Sequence, residues 1–260
     1  MKQPAWLSPD AAQVNGVWSI GAVNEHIASI YHQVRAKEKR LLGDAVVRDL
    51  PQSGALTDHA REWRIRARAM RRLLRVLAKA KKPLRVLDVG CGNGWLAARI
   101  SEAGHEVAAI DIHRTELEQA ARVFHDRSIT WLNDDPFVAL LPQQHFDLIL
   151  FAASIQYFGD LSAILDRCAE WLAPHGEVRI IDSRFYPDAA SASAAARRTV
   201  TYYETLGVPE MAQYYHHHMV TDLFVHPGLM VTGREAAFPL ERLFGTATFK
   251  CFSLMHRVHH

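Results

Sequence analysis

Residues 85–100 read RVLDVGCGNGWLAARI. The first five residues are mostly apolar and typical of a buried strand, the next five include three glycines, and the last six suit the start of a helix. Such a turn usually holds a phosphate or a nucleotide, because the free N–H groups at a helix N-terminus favour anionic or polar ligands. Gly90, Gly92 and Gly94 allow the backbone to approach a ligand without a side-chain clash. The stretch therefore predicts a ligand site between a strand and a helix.

The spacing of this turn limits the kind of ligand. A dinucleotide-binding turn has the pattern G-x-G-x-x-G/A, whose third small residue lets the helix pack closely on the strand. Here that position holds Trp95, which is large, so a nicotinamide dehydrogenase is disfavoured. Asp88 ends the strand, where a carboxylate suits a cationic amino group and would repel a pyrophosphate. The pattern therefore favours a nucleoside-like, cationic ligand.

From residue 84 onward, short apolar runs alternate with helical stretches. Runs that are apolar on both faces and separated by helices indicate a parallel sheet covered on both sides. The predicted strands are 84–89, 106–111, 128–132, 146–151 and 177–182, the helices are near 95–102, 114–125, 161–172, 194–206 and 209–223, and two weaker strands are near 229–232 and 246–255. The predicted fold class is α/β, a Rossmann-like doubly wound sheet that is mostly parallel with a C-terminal antiparallel strand.

The chain before residue 83 has a different pattern. Two amphipathic helices are predicted, over 24–50 and over 57–81. Thr57 or Asp58 is the expected N-cap of the second helix, because both side chains can accept a hydrogen bond from the first turn. We therefore expect a helical N-terminal cap on the sheet domain.

Composition and charge point to no macromolecular partner. The chain has 260 residues, of which 49% are hydrophobic and 22% charged, and its formal net charge is +2. No global field therefore favours nucleic acid or membrane. Cys91, Cys168 and Cys251 are far apart and not in CxxC spacing, so we expect a reducing compartment and no metal site. The absence of a signal core and of a long apolar run predicts a cytoplasmic protein.

Further acids stand where predicted strands end. Asp111 ends the second strand, where an acidic side chain can accept both hydroxyls of a ribose. Asp135, or its neighbour Asp134, follows the third strand and is placed to accept from an adenine amine. The carboxyl ends of the strands form the crevice in which open α/β sheets bind ligands. These acids therefore extend the predicted site beyond the glycine turn.

Four motifs in order resemble one known family, the class I S-adenosylmethionine-dependent methyltransferases. VLDVGCGNG (86–94) resembles the first motif of that family, and AAIDIH (108–113) matches its ribose-binding acid. ITWLNDDPFVALLPQQHFDLILFAASIQYF (129–158) resembles the stretch from its adenine-contacting acid through its fourth strand. LAPHGEVRIID (172–182) resembles the turn into its fifth strand. The likeness covers residues 84–183.

The resemblance implies S-adenosylmethionine (SAM) as the cofactor and S-adenosylhomocysteine (SAH) as its product. It implies that Asp88 and the glycine backbone hold the methionine part, Asp111 the ribose, and Asp135 with its preceding neighbour the adenine. Phe137 is expected to pack on the adenine face. The residues expected to bind the donor are Asp88, Gly90, Cys91, Gly92, Gly94, Asp111, Ile112, Asp134, Asp135, Phe137 and Ala152.

The resemblance also suggests how the chain is divided. Residues 1–82 form the helical cap and residues 83–260 the SAM-binding domain, in which residues 187–227 are an insertion on the acceptor side. In similar enzymes, the acceptor contacts come from the cap, the end of the fourth strand and the segment after the fifth strand. These three regions are therefore where acceptor-binding residues are expected.

The end of the fourth strand reads FAASIQYF (151–158). The Asn/Asp-Pro-Pro-aromatic motif, which holds the target nitrogen in many nucleic-acid and amide N-methyltransferases, is absent. Ser154, Gln156 and Tyr157 occupy the region and are candidates for binding the acceptor. The alternative for Ser154 and Gln156 is that they cap the following helix.

The segment after the fifth strand contains EMAQYYHHHMVTDL (210–223). On a helix, residues two apart face nearly opposite directions, so only one or two of these rings are expected to enter a pocket together. One ring is a candidate general base for a hydroxyl acceptor, because the pKa of histidine lies near neutral pH. Three adjacent histidines do not converge on one metal ion. The alternative is a polar, partly exposed helix with one packed histidine. The catalytic candidates are Tyr215, His217 and His218, and Tyr214 and His216 are candidates for binding the acceptor.

Residues 61–82 hold ten lysines or arginines and one acid. An RNA-facing surface is one interpretation. A solvated face opposite an apolar stripe is the favoured one, because no aromatic interleaving accompanies the charges. Part of this helix is also available to a carboxylate or phosphate of a small substrate.

Three functions are consistent with these observations. The leading hypothesis is methyl transfer from SAM to a small-molecule acceptor, with an oxygen or carbon nucleophile preferred. The second is an RNA or protein methyltransferase that docks through residues 61–82. The third is a SAM-binding protein without catalysis. No membrane partner is expected, nucleic acid is disfavoured, and the apolar chain ends allow a homodimer.

Overall fold

The computed structural model describes residues 3–235 and 250–256. Its elements in chain order are β1 (Ala12–Val14), β2 (Val17–Ser19), α1 (Glu25–Lys37), α2 (Asp44–Arg48), α3 (Ala60–Leu77), β3 (Arg85–Val89), α4 (Trp95–Glu102), β4 (Glu106–Asp111), α5 (Arg114–Val123), β5 (Ile129–Asn133), β6 (Phe146–Ala152), α6 (Leu161–Trp171), β7 (Leu172–Ser183), α7 (Ala189–Leu206), β8 (Leu229–Glu235) and β9 (Lys250–His256). None of the helices in these ranges is long and apolar enough to cross a lipid bilayer.

Nine described strands form one sheet in the order β1-β2-β5-β4-β3-β6-β7-β9-β8. Strands β3 to β7 pair in parallel, and β9 lies antiparallel between β7 and β8. The predicted mostly parallel, doubly wound sheet with an antiparallel C-terminal strand is confirmed. From β3 the chain adds β4 and β5 on one side and then returns to place β6 on the other. The strand order therefore reverses at β3, whose carboxyl end is the expected ligand crevice.

The sheet is apolar on both faces. Successive residues of a strand point to opposite sides, so Leu87 lies in the layer that packs against α6, and Val86 lies in the layer that packs against α3, α4 and α5. α3 contributes its buried stripe of Trp63, Met70 and Leu77 to the second layer. The N-terminal helices therefore share a hydrophobic layer with the sheet. The division at residue 82 stays a prediction.

The N-terminal region differs from the expected pair of long helices. β1 and β2 form a hairpin, and β2 pairs in parallel with β5 at the sheet edge. The predicted helix over 24–50 is two helices, because α1 ends at Lys37 and Lys39 takes a left-handed backbone with φ 55°. The expected N-cap of α3 was also wrong. His59 occupies that position, and the Thr57 hydroxyl donates to Gly54 O at 2.8 Å instead.

The predicted helix over 209–223 was also wrong. Pro209–Tyr214 and Val220–Leu223 are short 3-10 turns, and residues 215–219 between them are not helical. This central segment is held by backbone hydrogen bonds to other parts of the chain: Tyr186 N donates to His218 O at 2.9 Å, and His216 N donates to Gln156 O at 2.7 Å. Side chains two apart therefore share a side, unlike those of a helix.

The C-terminal strands were predicted near their observed positions. β8 covers the expected 229–232, and β9 covers most of the expected 246–255. Residues 246–249 of that prediction lie outside the described residues.

Candidate active site

The glycine turn connects the carboxyl end of β3 to α4. All three of its glycines have positive φ, between 53° and 71°. A Cβ on Gly90 would lie 2.6 Å from Ser154 Cβ, and a Cβ on Gly94 would collide with the Trp131 ring. The turn is therefore packed tightly on both sides, and only glycine fits these two positions.

Asp88 is a buried acid at the start of this turn. Its Oδ1 has no hydrogen-bond partner among the described residues. Burial, together with the nearby charge of Asp111, raises the pKa of Asp88 to about 7. A buried carboxylate oxygen without a donor is costly, so a cationic group that binds beside it would be strongly favoured.

Asp111 organises the turn from the neighbouring strand. Its Oδ2 accepts from Gly92 N at 2.7 Å, and its Oδ1 accepts from His113 N at 2.8 Å. Burial raises the pKa of Asp111, although these two hydrogen bonds act to lower it. The carboxylate is thus fixed in orientation at the end of β4, and each oxygen retains a lone pair for a ligand.

A smaller cavity of about 180 Å³ lies beyond Asp111. Asp111, Ile112, Asp135 and Phe137 line it, together with residues from α1 and from the loop after β6. Asp135 Oδ1 accepts from Phe137 N at 3.0 Å, which holds that loop in place. The lining combines a fixed carboxylate with an aromatic side chain, which suits a nucleoside.

A larger cavity of about 500 Å³ lies on the other side of the turn. Its walls come from α1, α3, α7 and the ends of β3, β6 and β7, and from Tyr215 and His217. Four residues line both cavities: Tyr31, Gly90, Ala153 and Tyr157. The two cavities therefore meet at the glycine turn.

α1 covers the region where the cavities meet. Arg35 Nη2 pairs with Glu116 Oε1 at 2.8 Å, and His32 Nδ1 lies 3.0 Å from His113 Nε2. Burial would raise the pKa of Glu116, but the charges of Arg35 and His113 outweigh burial and lower it to about 2. Glu116 is therefore ionised, and a buried ion pair fixes α1 to α5 beside the glycine turn.

Asp182 stands at the carboxyl end of β7 and lines the larger cavity. Its backbone is left-handed, with φ 54°, next to an irregularity in the pairing of β7 with β9. Burial raises the pKa of Asp182 to about 6 against the opposing charge of Arg66. Within the described ranges we find no hydrogen bond to its carboxylate. A non-glycine residue held in this conformation is a common feature of functional sites.

Comparisons with known proteins identify the fold and the family. A model of the family described as "Methyltransferase domain" matches residues 60–231. The chain belongs to the class I SAM-dependent methyltransferases.

Two relatives show the extent of the sequence similarity to this methyltransferase. An uncharacterized methyltransferase of Mycobacterium bovis is 35% identical over 96 residues, which are 37% of this chain and 49% of that protein. A ubiquinone biosynthesis O-methyltransferase of Rhodopseudomonas palustris is 33% identical over 95 residues, which are 36% of this chain and 37% of that protein. The chain thus spans half or less of the length of these curated relatives.

Solved structures share the fold at low identity. A SAM-dependent methyltransferase from Mesorhizobium loti has a TM-score of 0.56 at 22% identity, covering 72% of this chain and 96% of its own. Magnesium protoporphyrin IX methyltransferase from Synechocystis, with bound SAH, has a TM-score of 0.52 at 15% identity, covering 74% of this chain and 83% of its own. These neighbours establish the Rossmann-like methyltransferase fold.

The site of this methyltransferase fits SAM. The unpartnered Asp88 oxygen suits the donor's amino group, and the fixed Asp111 carboxylate suits its ribose hydroxyls. Most of the residues predicted to bind the donor lie on the two cavities: Asp88, Gly90, Cys91, Gly92 and Ala152 on the larger one, and Gly90, Asp111, Ile112, Asp135 and Phe137 on the smaller one.

Two predicted donor residues do not line either cavity. Gly94 instead packs under Trp131 as the N-cap of α4. Asp134 is buried and accepts from the backbone of Gly21 and, through Oδ1, from Asp135 N at 2.9 Å. It therefore holds the N-terminal segment to the end of β5, and the neighbouring Asp135 is the acid that reaches the cavity.

The predicted acceptor residues near the end of β6 do not all line the same cavity. Tyr157 lines both cavities, and Gln156 lines the larger one while its Nε2 donates to Ala153 O at 2.7 Å. Ser154 lines the smaller cavity, but its Oγ donates to Val89 O at 2.6 Å. This hydrogen bond ties the loop after β6 to the end of β3. Ser154 stands at the N-cap position of the 3-10 turn Ile155–Tyr157, but its side chain makes no capping hydrogen bond.

The extended segment 215–219 separates the aromatic candidates. Tyr215 and His217 line the larger cavity, and Tyr214 lines the smaller one. His216 and His218 lie on the other side, stacked with ring centroids 6.2 Å apart, and line neither cavity. His218 is buried, with Nε2 3.3 Å from Ile155 O. The placement of His218 and His216 therefore does not suit the catalytic and acceptor-binding roles expected of them.

Most side chains of the larger cavity were not expected from the sequence. The residues that sequence analysis missed include Tyr31, Arg35, Glu38, Arg40, Glu62, Arg66, Asp182, Arg184, Tyr186, Arg198, Tyr202 and Tyr203. Asp182 could have been predicted from the sequence, because it stands at the end of a predicted strand as Asp88 and Asp111 do. The others come from helices and from the loops beside them, where no local pattern marks a cavity-facing residue.

Proposed function

We propose that this protein transfers a methyl group from SAM to a hydroxyl oxygen of a small molecule bound in the larger cavity. The observation that carries the proposal is the meeting of the two cavities at Gly90, with the unpartnered Asp88 carboxylate at their junction. A donor held across this junction would present its reactive end to the larger cavity. A volume of about 500 Å³ suits a small molecule.

The donor supplies a methyl group that its sulfonium already activates, so the protein has mainly to align an acceptor. Asp88 would pair with the donor's amino group, because the cation relieves its buried carboxylate. Asp111 would accept from the ribose hydroxyls. Asp135 and Phe137 would contact the adenine at the far end of the smaller cavity.

A hydroxyl acceptor has to lose a proton, and we assign its removal to Asp182. This carboxylate lines the cavity, accepts no hydrogen bond within the described ranges, and has its pKa raised to about 6 by burial. A general base works best with a pKa near the operating pH. His217 lines the same cavity, but its Nε2 lies 2.9 Å from Thr199 Oγ1. We therefore assign His217 and Tyr215 to acceptor binding.

The relatives support an oxygen acceptor. One of them is a ubiquinone biosynthesis O-methyltransferase, whose 95 matched residues are 33% identical to this chain.

The proposal includes a cytoplasmic location, a small-molecule partner and no nucleic-acid partner. The buried stripe of α3 and the position of Arg66 in the cavity support the solvated-face interpretation of this basic helix. A homodimer stays a prediction.

Calorimetric titration with SAM and with SAH tests donor binding. Asp111→Ala and NAD serve as controls for the site and for the ligand class. We expect micromolar binding of SAM and SAH by the wild type, none of NAD, and binding of SAM and SAH that is about 100-fold weaker in the variant. Incubation with labelled SAM and a panel of phenols, amines and thiols then tests the acceptor class. Labelled product from amines or thiols but not from phenols would contradict the oxygen assignment, and no donor binding by the folded protein would overturn the whole proposal.

A further inference from the structure

Five arginines line the larger cavity, and three of them are neutralised. Arg35 pairs with Glu116 at 2.8 Å. Arg40 and Arg66 each approach Glu62 at 2.6 Å. Arg40 also pairs with Glu38, just after α1, at 2.8 Å. These three guanidinium groups therefore already have carboxylate partners, and their charges are not available to a ligand without breaking an ion pair.

The other two arginines differ. Arg184, just after β7, and Arg198, on α7, line the cavity, and neither has a carboxylate partner within the described parts of the chain. Arg184 Cζ lies 5.1 Å from the centroid of the Tyr186 ring. Both arginines are exposed, so their charges lie at the open end of the cavity. This end carries two uncompensated positive charges.

His217, on the same cavity wall, does not supply a counter-charge. The His217 ring lies 5.5 Å from the Tyr186 ring. Partial burial lowers the pKa of His217, and the adjacent histidines and the charges of Arg198 and Arg184 lower it further. His217 is therefore a neutral ring near neutral pH, and the two guanidinium groups dominate the local field.

A row of aromatic rings leads from this end toward the donor. Successive ring centroids from Tyr186 to His217, Tyr215 and Tyr157 lie between 5.4 and 5.6 Å apart. Tyr157 is also part of the wall shared with the smaller cavity. Such a row offers edges and faces to a flat aromatic ligand along its whole length.

We propose that the acceptor is a hydroxylated aromatic compound carrying an anionic group, a carboxylate or a phosphate, which Arg184 and Arg198 bind at the open end of the cavity. Arginine's planar fork matches both groups through paired N–H donors. With the anion at this end, the aromatic ring lies along the tyrosines and its hydroxyl points to the junction with the donor pocket. This inference rests on the proposed function and names its substrate class.

Matched probes that differ in charge test the inference. Calorimetric titration of the SAH-loaded protein uses 3,4-dihydroxybenzoate, its uncharged counterpart 3,4-dihydroxybenzamide, and phenyl phosphate. We expect the benzoate to bind at least tenfold more tightly than the amide. In the double variant Arg184→Gln, Arg198→Gln this preference should fall to less than twofold. The phenyl phosphate arm shows which anion the site prefers.

Arg197→Gln is the matched control, because Arg197 is the exposed neighbour of Arg198 on α7 and does not line the cavity. It should keep the wild-type preference. Equal binding of benzoate and amide, no binding of any probe at millimolar concentration, or an equal loss in the control would overturn the inference. SAH binding is measured first in every variant. Its failure would count against the proposed function, whereas intact SAH binding without charge preference would count only against this inference.

Discussion

The two cavities of this methyltransferase are built in different ways. The smaller cavity, on the proposed donor side, takes its shape from consecutive strand ends and from hydrogen bonds that backbone groups donate to fixed carboxylates, such as Gly92 N to Asp111 Oδ2 at 2.7 Å. The larger cavity, on the proposed acceptor side, is lined mainly by long side chains from α1, α3 and α7 and by Tyr215 and His217. A substitution changes the backbone geometry little, whereas it replaces the whole side chain that lines a cavity. On the proposed function, the donor side therefore supplies the chemistry, and the acceptor side sets the specificity.

The largest expected effect is on the acceptor side. Asp182→Asn should lower kcat by roughly 100- to 10,000-fold, because the amide does not accept the proton. The affinity for SAH should not change. In the wild type, the methylation rate should be low below about pH 6 and should rise as the pH increases through that value. The reason is that the Asp182 carboxyl, whose pKa is raised to about 6, becomes ionised there. Measuring the rate of acceptor methylation as a function of pH checks this prediction.

His217→Gln is the comparison variant for that experiment. It should raise KM and keep the rise in rate near pH 6. If this rise vanished in His217→Gln and persisted in Asp182→Asn, the histidine would be the base and our assignment would be wrong.

The next effect is on the donor side. Asp111→Ala should weaken SAM binding by about 100-fold, because hydrogen bonds to charged groups contribute about 1.5–3 kcal/mol each. The carboxylate also holds Gly92 N and His113 N, so its loss loosens the turn. Asp126→Ala, at an exposed aspartate, is the control. Calorimetry on both variants, with circular dichroism to verify folding, decides the outcome. Equal affinities would show that the turn binds the donor without Asp111.

A third prediction concerns the backbone of the donor side. Gly94→Ala should destabilise the protein by about 2 kcal/mol, because the new Cβ collides with the Trp131 ring and φ is 69°. Gly104→Ala also has positive φ but meets open space, so about 1 kcal/mol is expected there. Urea denaturation of the two variants measures the difference. Equal losses would show that the ring moves aside.

The smallest predicted effect is on the pH dependence of donor affinity. The pKa of Asp88 is raised to about 7 by burial and by Asp111, and the donor's cationic amino group favours the ionised form. SAM affinity should therefore rise about tenfold from pH 6 to pH 8. Asp88→Asn should bind weakly and lose this dependence. Calorimetry at several pH values in buffers of equal ionic strength checks both. A flat wild-type profile would place the amino group elsewhere.

The sequence predicted the donor side well for a physical reason. Buried parallel strands leave continuous apolar runs, so the position of β4 was predicted to the residue, at Glu106–Asp111. The acids that end these strands were recognised because strand ends meet at one edge of the sheet. Asp134 and Gly94 line neither cavity, since adjacent residues at a strand end or in a turn face different ways, and their roles in donor binding stay predictions.

The acceptor side was predicted poorly because its contacts are distant in sequence. Residues 215–219 lie inside the predicted helix 209–223, but backbone hydrogen bonds from Tyr186 and to Gln156 hold them extended. No local pattern reports a partner thirty or sixty residues away. β1 and β2, at three residues each, are likewise too short to show an alternating pattern. The resemblance named the N-terminal cap as a source of acceptor contacts, but no local pattern showed which residues of α1 line the cavities.

The wall shared by the two cavities has a thermodynamic consequence. The rings of Tyr31 and Tyr157 meet edge to face at 5.4 Å, and each borders both cavities. A ligand on either side restricts the same pair of rings, so the first ligand changes the cost of ordering them for the second. Linkage makes this change reciprocal: whatever factor SAM contributes to acceptor affinity, the acceptor contributes to SAM affinity. The fully loaded state is then reached with the same overall constant by either order of addition.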